Sequence, residues 1–315
     1  MASRFEAQLH RLRQSQGVEY VYTSHDRWPL PRYHKHPTGS RLNISVLDSS
    51  FNPPTLAHLA LAKTPFPECF RSTPPKESDV FQAKLLLLSV RNADKSLKQS
   101  DATHAQRLEM MLLLAQDLSS HGAVSSGDSQ GVHTSEHDSN IAVAIIDEPT
   151  FVGKSKALLS SLQTRISQLS GSVHAEAEDT APSVKAALTF IVGMDTLDRI
   201  FTPRFYGSAE AMATSLQTFF STEATGDNSR VICARRLGLK EDPAMVEKRT
   251  LDAARTFVEA RRIALADIDE AIATYSSSEV RDRINNGHDD APWTALVTER
   301  IAEYVNKNKL YLDLS

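Results

Sequence analysis

Short apolar runs of strand length alternate with longer helical segments along this chain. Four runs read as strands: 42–48 (LNISVLD), 141–147 (IAVAIID), 185–195 (KAALTFIVGMD) and 230–236 (RVICARR). Five segments have helical spacing: 79–95, 104–118, 154–169, Ser277–Asn286 and 293–307. Strands that alternate with helices are typical of an α/β domain, so we predict a Rossmann-like, mostly parallel sheet with flanking helices.

The balance of charges excludes some classes of partner. The 315 residues include 35 Lys and Arg against 39 Asp and Glu, which gives a formal net charge of −4. Nonspecific nucleic-acid binding needs a broadly basic surface, so no nucleic-acid partner is expected. A local basic pocket for a phosphorylated small molecule is still compatible with this charge. Two cysteines, Cys69 and Cys233, are too few for a disulfide framework and favour a reducing compartment.

The N-terminal segment has two possible interpretations. Phe5, Leu9 and Leu12 fall at helical spacing and predict a surface helix. The alternative is an arginine-bearing transit peptide, which Glu6 and Glu19 disfavour. No apolar run approaches the roughly 18 residues that a membrane span needs, so no membrane association is expected.

Composition divides the chain into an N-terminal extension, residues 1–38, and one domain, residues 39–315. Two polar inserts interrupt this domain near 119–140 and 171–182. Three histidines lie in the first insert, but their spacing is irregular, so we interpret it as a mobile loop and predict no protein-held metal.

The first segment that carries chemistry is SSFNPPTLAH, residues 49–58, at the end of the strand 42–48. We expect a helix to begin near Pro54, because proline suits the first helical position. Thr55 and His58 then share one face of the first turn, where backbone N–H groups favour phosphate. The alternative is that Thr55 merely caps the helix and His58 is an incidental surface residue.

The second segment is YSSSEVR, residues 275–281. Ser276 and Glu279 have capping-box spacing, so a helix is expected to begin at Ser277. Ser277, Ser278 and Arg281 would then surround its first turn and could hold phosphate oxygens. An ordinary capped helix with a surface arginine is the alternative.

The third segment is FIVGMD, residues 190–195, where Gly193 permits close approach of a ligand and Asp195 can accept hydrogen bonds from a ribose. By contrast, Gly153-Lys154-Ser155 only imitates a phosphate-binding P-loop. That motif needs a second glycine five residues earlier, where Glu148 stands, and we therefore reject it.

These segments together resemble those of nicotinamide mononucleotide adenylyltransferases, which belong to the superfamily marked by (H/T)xGH. SSFNPPTLAH is similar to their GSFNPxTxxH segment, YSSSEVR to ISSTxIR and FIVGMDTL to VGxDxL. NADKSLK with HAQRLEMM resembles the stretch that holds their substrate lysine, and VICARRLG resembles their Arg-x-Gly strand end. The five segments occur in family order. The first motif is similar in particular to that of divergent fungal adenylyltransferase-like proteins.

The resemblance implies a nucleotidyltransferase fold and transfer of the adenylyl group of ATP to nicotinamide mononucleotide. The implied catalytic residues are His58, next to the α-phosphate, and Arg281. The implied ATP-binding residues are Ser50, Phe51, Thr55, Gly193, Asp195, Ser277 and Ser278. The implied mononucleotide-binding residues are Lys95, with Lys98 as its rival, Phe205, Tyr206 and Arg236. Mg²⁺ would be held mainly by the phosphates of ATP, and the expected location is the cytoplasm, the nucleus or both.

Three departures from the family pattern leave alternatives open. Ser49 replaces the motif glycine, Ala57 replaces the glycine before the second histidine, and the usual pyridine-stacking tryptophan is missing after Asp195. The alternatives are a nucleotide-binding regulatory protein with weak or no ATP hydrolysis, and a cytidylyltransferase of the same superfamily.

Overall fold

The computed structural model describes nine stretches of the chain: residues 5–15, 17–33, 41–76, 78–91, 101–120, 139–171, 184–235, 243–286 and 292–312. The sequence-predicted residues Lys95, Lys98 and Arg236 lie outside these stretches, as do most of the two polar inserts.

The described residues form one sheet with helices on both faces. Its strands are β1 (Val18–Thr23), β2 (Arg41–Asp48), β3 (Ala83–Ser89), β4 (Ile141–Ile146), β5 (Lys185–Gly193), β6 (Arg230–Ala234) and β7 (Ile263–Ala266). The helices are α1 (Glu6–Ser15), α2 (Leu56–Ala62), α3 (His104–Ser120), α4 (Phe151–Gly171), α5 (Met194–Ile200), α6 (Ala209–Phe220), α7 (Pro243–Glu259), α8 (Glu270–Ala273), α9 (Ser277–Asn286) and α10 (Glu299–Lys307). Among the described residues, no helix combines the length and apolarity that a bilayer crossing requires.

The strand order of the sheet is β1-β4-β3-β2-β5-β6-β7. All neighbours are parallel except β1, which pairs antiparallel with β4. Without β1 this is a doubly wound order: β3 and β4 lie on one side of β2, and β5, β6 and β7 lie on its other side. The predicted Rossmann-like sheet is therefore confirmed, and its topological switch point lies between β2 and β5.

Two apolar cores fill the spaces between the sheet and its helices. On one side, which we call face A, residues of α1, α2, α3 and α10 pack against the sheet. On the other side, face B, residues of α4, α5, α6 and α7 do so. Phe5, Leu9 and Leu12 are buried in the face A core, so the predicted N-terminal helix is confirmed as α1, although its apolar side is covered. Since β1 also joins the sheet, the boundary at residue 38 stays a prediction.

The predicted helix over 79–95 is wrong, because its central residues form the strand β3. Leu86 and Leu88 lie in the face A core, whereas Leu85 and Leu87 lie in the face B core. A strand buried on both faces is apolar throughout, so its sequence lacks the alternation that usually identifies strands.

Other predicted elements hold with shifted ends. Helix α9 has the predicted bounds, but α2 begins at Leu56 rather than Pro54, with Thr55 as its N-cap residue. Strand β6 ends at Ala234, two residues before the predicted end. The predicted helix 293–307 is a 3₁₀ turn, Trp293–Leu296, followed by α10. Two residues with extended backbone, Val297 and Thr298, separate the two helical pieces.

Candidate functional site

The loop 49–55 lies at the carboxyl end of β2, on the switch point of the sheet. Leu47 of β2 is in register with Ile191 of β5, so Ser49 and Gly193 each lie two residues farther along their strands. Ligands of doubly wound sheets bind outside the carboxyl ends of the strands at this position. The first and third predicted segments therefore lie side by side where a ligand is expected.

The conformation of this loop is set by a buried aromatic residue. Phe51 is fully buried and has a φ of 45°, in the left-handed region that costs a non-glycine residue about 1 kcal/mol or more. Its ring centroid lies 5.3 Å from that of His58. Burial of Phe51 offsets the backbone strain, so its position in the loop is structural, and its predicted contact with ATP stays a prediction.

Hydrogen bonds fix the ring of His58 on both sides. The backbone N–H of Thr55 donates to His58 Nδ1 at 3.0 Å, and the Thr55 hydroxyl lies 2.9 Å from the same nitrogen. Since a backbone N–H can only donate, Nδ1 is the acceptor and the proton of the neutral ring is on Nε2. Nε2 lies 2.9 Å from Ser49 Oγ and therefore donates to it. This geometry makes His58 a hydrogen-bond donor toward the strand end and does not make it a base that activates Ser49.

Thr55 has no accessible surface in this arrangement. Its backbone and side chain both position His58. The sequence left open whether Thr55 is a cap or a ligand-binding residue. The structure shows the cap, and a contact of Thr55 with the triphosphate stays a prediction.

Helix α9 is attached to the same loop through its first turns. The Ser276 hydroxyl accepts from the N–H of Glu279 at 3.1 Å, which confirms half of the predicted capping box. The Ser277 hydroxyl donates to the Pro53 carbonyl at 2.7 Å. Arg281 donates from Nη1 to the loop carbonyl of Asn52 at 2.5 Å. The second predicted segment thus meets the first, 224 residues away in the sequence.

Ser278 completes the first turn of α9 on its exposed side. Its hydroxyl accepts from Arg281 Nη2 at 3.4 Å, the longest of the arginine's side-chain hydrogen bonds. Arg283, by contrast, pairs with Glu279 at 2.5 Å on the same helix. Of the two arginines of α9, Arg281 is therefore the one that reaches the loop.

A buried charge network that sequence reasoning missed supports this junction. Asp101 accepts from Asn52 Nδ2 at 2.6 Å and lies 3.6 Å from Arg107 Nη2 and 3.8 Å from Arg281 Nε. Asn52 Oδ1 also accepts from the N–H of Ala102 at 3.1 Å. Burial lowers the pKa of Arg107, and the neighbouring Asp101 carboxylate opposes that change. One carboxylate between two guanidinium groups leaves a net positive charge beside the loop.

The third segment supplies an open strand end. A Cβ built on Gly193 would meet no described atom within 4 Å, so a ligand could approach the backbone there. Asp195 lies in the first turn of α5 with its side chain exposed. Ser50, in the neighbouring loop, is also exposed, and its carbonyl accepts from Arg107 Nη1 at 3.4 Å.

The two aromatic candidates for the pyridine pocket differ in their surroundings. The hydroxyl of Tyr206 donates to the Ile200 carbonyl at 2.9 Å, and burial raises its pKa to about 12. Phe205 ends a 3₁₀ turn, and the guanidinium of Arg204 lies 4.7 Å from its ring centroid. Tyr206 is thus held by the core, whereas Phe205 already has a cation against its ring.

The rejected P-loop segment has a structural role instead. Gly153 lies inside α4, where an added Cβ would come within 2.5 Å of Glu148 Oε2. Lys154 Nζ lies 2.5 Å from Asp48 Oδ2, and each side chain is only 7% exposed. This buried ion pair fixes the last residue of β2, directly before the candidate loop.

Comparisons with known proteins agree with the motifs. No protein-family model matches the chain. The chain is 30% identical over 193 residues to "Putative nicotinamide mononucleotide adenylyltransferase" of Schizosaccharomyces pombe. The match covers 61% of this chain and 53% of the relative, so it spans about half of that protein. The chain is therefore similar, as its motifs predict, to a protein named for this activity.

Two solved structures show a weaker likeness. One is Plasmodium falciparum nicotinic acid mononucleotide adenylyltransferase complexed with NaAD, at 17% identity and a TM-score of 0.45. The other is the same enzyme complexed with APC, at 16% identity and a TM-score of 0.44. Each match covers 86% of this chain and 97% of the other. Both TM-scores are below 0.5, so the fold assignment rests on the strand order of the sheet.

Proposed function

We propose that this protein is a nucleotidyltransferase that transfers the adenylyl group of ATP to nicotinamide mononucleotide and forms NAD and pyrophosphate. The observation that supports it most directly is the junction of loop 49–55 with α9, which places His58, Ser277 and Arg281 together at the switch point. The similarity to the Schizosaccharomyces pombe protein supports the substrate class.

The proposed step is an in-line displacement at the α-phosphorus. A phosphate oxygen of the mononucleotide forms the new bond to that phosphorus, and the bond to the oxygen that leaves with pyrophosphate breaks. No proton needs to move, so the protein contributes position and positive charge rather than an acid or a base. In this proposal His58 Nε2 donates to the α-phosphate, while Arg281, Ser277 and Ser278 bind the rest of the triphosphate.

The remaining predicted residues divide between the two substrates. Gly193 and Asp195 would receive the adenosine ribose, next to the loop. Lys95, Arg236 and one of the two aromatic residues would bind the mononucleotide. Lys95 and Arg236 lie outside the described residues, so their roles rest on the sequence resemblance alone.

Mg²⁺ is proposed to enter with ATP, bound to its phosphates. The nearby Asp48 and Asp101 are paired with Lys154 and with two arginines, which makes them poor metal ligands. Among the described residues no group of three His, Cys, Asp or Glu could hold a metal ion. The metal would neutralise charge on the leaving pyrophosphate.

A second candidate function follows from the Ser49 hydroxyl, which engages the nitrogen that the proposed reaction needs. A protein in which this bond persists would bind ATP and transfer nothing. The test is to incubate purified protein with Mg²⁺, with either ATP or CTP, and with either nicotinamide or nicotinate mononucleotide. The products formed distinguish the proposed adenylyl transfer from the other candidate functions. Dinucleotide formed from ATP supports the proposal. Products from CTP alone, or ATP binding without transfer, would reject it in favour of the cytidylyltransferase or the regulatory protein.

The pyridine pocket gives a separate test. A pyridinium ring is flat and cationic, so an aromatic face suits it. Phe205→Ala is expected to raise the KM for the mononucleotide several-fold and leave ATP binding unchanged. Tyr206→Phe removes only the hydrogen bond to Ile200 and is the matched control for local structure. An unchanged mononucleotide KM in Phe205→Ala and Tyr206→Ala would place the pocket elsewhere.

The proposed location, cytoplasm or nucleus, can be checked by imaging the tagged full chain.

A further inference from the structure

Four basic residues occupy the amino ends of four adjacent parallel strands. They are Arg41 of β2, Lys185 of β5, Arg230 of β6 and Arg262, which directly precedes β7. Parallel strands begin at the same edge of a sheet, so these residues lie opposite the edge that carries the candidate site. At about 3.3 Å per residue, Arg41 and Lys185 lie about 23 Å from the level of Asp48 at the carboxyl end of β2. Arg230 is level with Ser45 through Thr189 and lies about 10 Å from the level of Asp48 along the strands.

All four basic side chains project from face A of the sheet. Their strand neighbours Leu42, Val231 and Ile263 lie in the face B core, as does Leu188, three residues after Lys185. Side chains alternate between the faces along a strand, so the basic residues point to the other side. Register places Arg41 beside Lys185 and Arg230 beside Thr189, so the group runs obliquely across this end of the sheet. We call Arg41, Lys185, Arg230 and Arg262 the amino-edge cluster.

Two phenylalanine rings hold the guanidinium of Arg230 in place. The group lies 5.6 Å from the ring centroid of Phe66 and 5.0 Å from that of Phe70. Both rings are buried members of the face A core, so they form a fixed platform. Cation–π contact uses the flat face of a guanidinium, and its N–H groups still point outward in the plane. Arg230 is thereby oriented before it meets any hydrogen-bond acceptor.

Among the described residues, one carboxylate, Asp79, lies near this cluster of four basic side chains. Arg41 and Arg230 form no ion pair with a described residue, and Arg262 donates to a neutral partner, Asn228 Oδ1, at 2.8 Å. Asp79 is close, but its carboxylate accepts from the backbone N–H groups of Ser72 and Lys76 at 2.8 and 2.9 Å. Burial and the charges of Arg262 and Arg41 together lower the pKa of Arg230 to about 10, against the opposing charge of Asp79. Four basic residues thus face one described carboxylate, and the cluster keeps a net positive charge.

We propose that the amino-edge cluster is an anion site that binds a phosphate group of a small molecule, separately from the candidate site at the opposite edge. Several guanidinium groups with free in-plane donors match the oxygens and the double charge of a phosphate better than the single charge of a carboxylate. Inorganic phosphate and the phosphate of an organic metabolite share this chemistry. The site does not depend on the proposed adenylyl transfer.

The test is calorimetric titration of the full chain with inorganic phosphate, pyrophosphate and ATP at constant ionic strength. The variants are Arg230→Gln and the double variant Arg41→Gln with Arg262→Gln, which avoids the aromatic platform should Arg230→Gln fold poorly. Arg255→Gln is the matched control, since Arg255 is exposed on α7 and, among the described residues, pairs with Asp252 of its own helix. Arg281→Lys alters the candidate site at the carboxyl edge, so a loss of binding in this variant identifies ligand bound there rather than at the cluster.

We expect at least one of these ligands to bind wild type and Arg281→Lys with equal affinity at the cluster. That binding should weaken tenfold or more in Arg230→Gln and in the double variant, and stay unchanged in Arg255→Gln. Saturation by inorganic phosphate identifies the free ion as sufficient, and binding of ATP or pyrophosphate alone identifies a larger phosphate ligand. Absence of binding, or equal losses in Arg255→Gln and the cluster variants, would overturn the proposal.

Discussion

The hydrogen bond between Ser49 and His58 leads to an unusual prediction. Removal of the Ser49 hydroxyl, which lies beside the proposed reacting atoms, should raise turnover. His58 Nε2 donates to Ser49 Oγ at 2.9 Å, and the same N–H is proposed to donate to the α-phosphate. The first bond must therefore be exchanged during turnover. A neutral hydrogen bond contributes about 0.5–1.5 kcal/mol net, which corresponds to a factor of about 2 to 12 in rate. Ser49→Ala should increase kcat by about this factor.

A double-mutant cycle tests the cause of that gain. His58→Ala alone should lower kcat by about 10²–10³, the usual effect of removing one donor to a developing charge. In the His58→Ala background there is no Nε2 proton to release, so Ser49→Ala should then change kcat by less than about twofold.

The assay is initial-rate formation of NAD from ATP and nicotinamide mononucleotide, with thermal unfolding to verify that each variant folds. Ser120→Ala is the matched control, because the Ser120 hydroxyl donates, within the described stretches, to the Gln116 carbonyl of its own helix α3. A decrease of kcat in Ser49→Ala would show that the hydroxyl assists the reaction. A gain that persists without His58 would show that Ser49 acts by crowding rather than through the histidine. Either result refutes the hydrogen-bond exchange.

Three further predictions follow from the contacts around the loop. Arg281→Lys should impair turnover although the charge is kept, because a lysine cannot reproduce the guanidinium fork that reaches the loop carbonyl. Arg283→Lys is the control and should leave turnover nearly unchanged in the same assay, and equal defects in both variants would indicate a diffuse basic surface. Lys154→Met should lower the free energy of unfolding in urea by about 3–5 kcal/mol, because it leaves Asp48 buried without its cation; a change below 1 kcal/mol would contradict this. Burial and neighbouring arginines lower the pKa of His104 to about 4, so between about pH 6.5 and 4 the unfolded chain binds a proton that the folded chain does not. The free energy of unfolding in urea should therefore fall as the pH falls through this window, and His104→Gln should flatten that pH dependence.

The fold was predictable where the sequence pattern had one interpretation. Strand β2 is followed by a polar turn, and α9 has a cap at Ser276, so both could be located to within about a residue. The run AKLLLLS, residues 83–89, is wrongly predicted as helix, because leucine forms helices readily and a fully buried strand shows no alternation. Its neighbours β2 and β4 decide the outcome, and pairing between strands is not visible in a local pattern.

For the candidate site, the sequence indicates which residues can bind phosphate but not what holds them. The resemblance and the predicted helix starts together point to Thr55, His58 and Arg281. Asp101 and Arg107 were missed because neither has a local signal: their role arises from contacts with loop 49–55, about fifty residues earlier in the chain. Arg107 belongs to a helix of mixed polarity, so its burial is visible only in the structure.

The chain departs at two positions from the first motif of the adenylyltransferases that it resembles, and the two changes have different consequences in this structure. Ala57 lies in the first turn of α2 and is 8% exposed. An alanine inside a helix is favoured over glycine by about 1 kcal/mol, so this change stabilises α2 and leaves the donors of the loop untouched. Ser49, by contrast, adds a hydroxyl that engages the Nε2 proton of His58. If this chain is slower than relatives that carry glycine at the first position, Ser49→Gly should recover most of the difference, whereas Ala57→Gly should only lower the melting temperature.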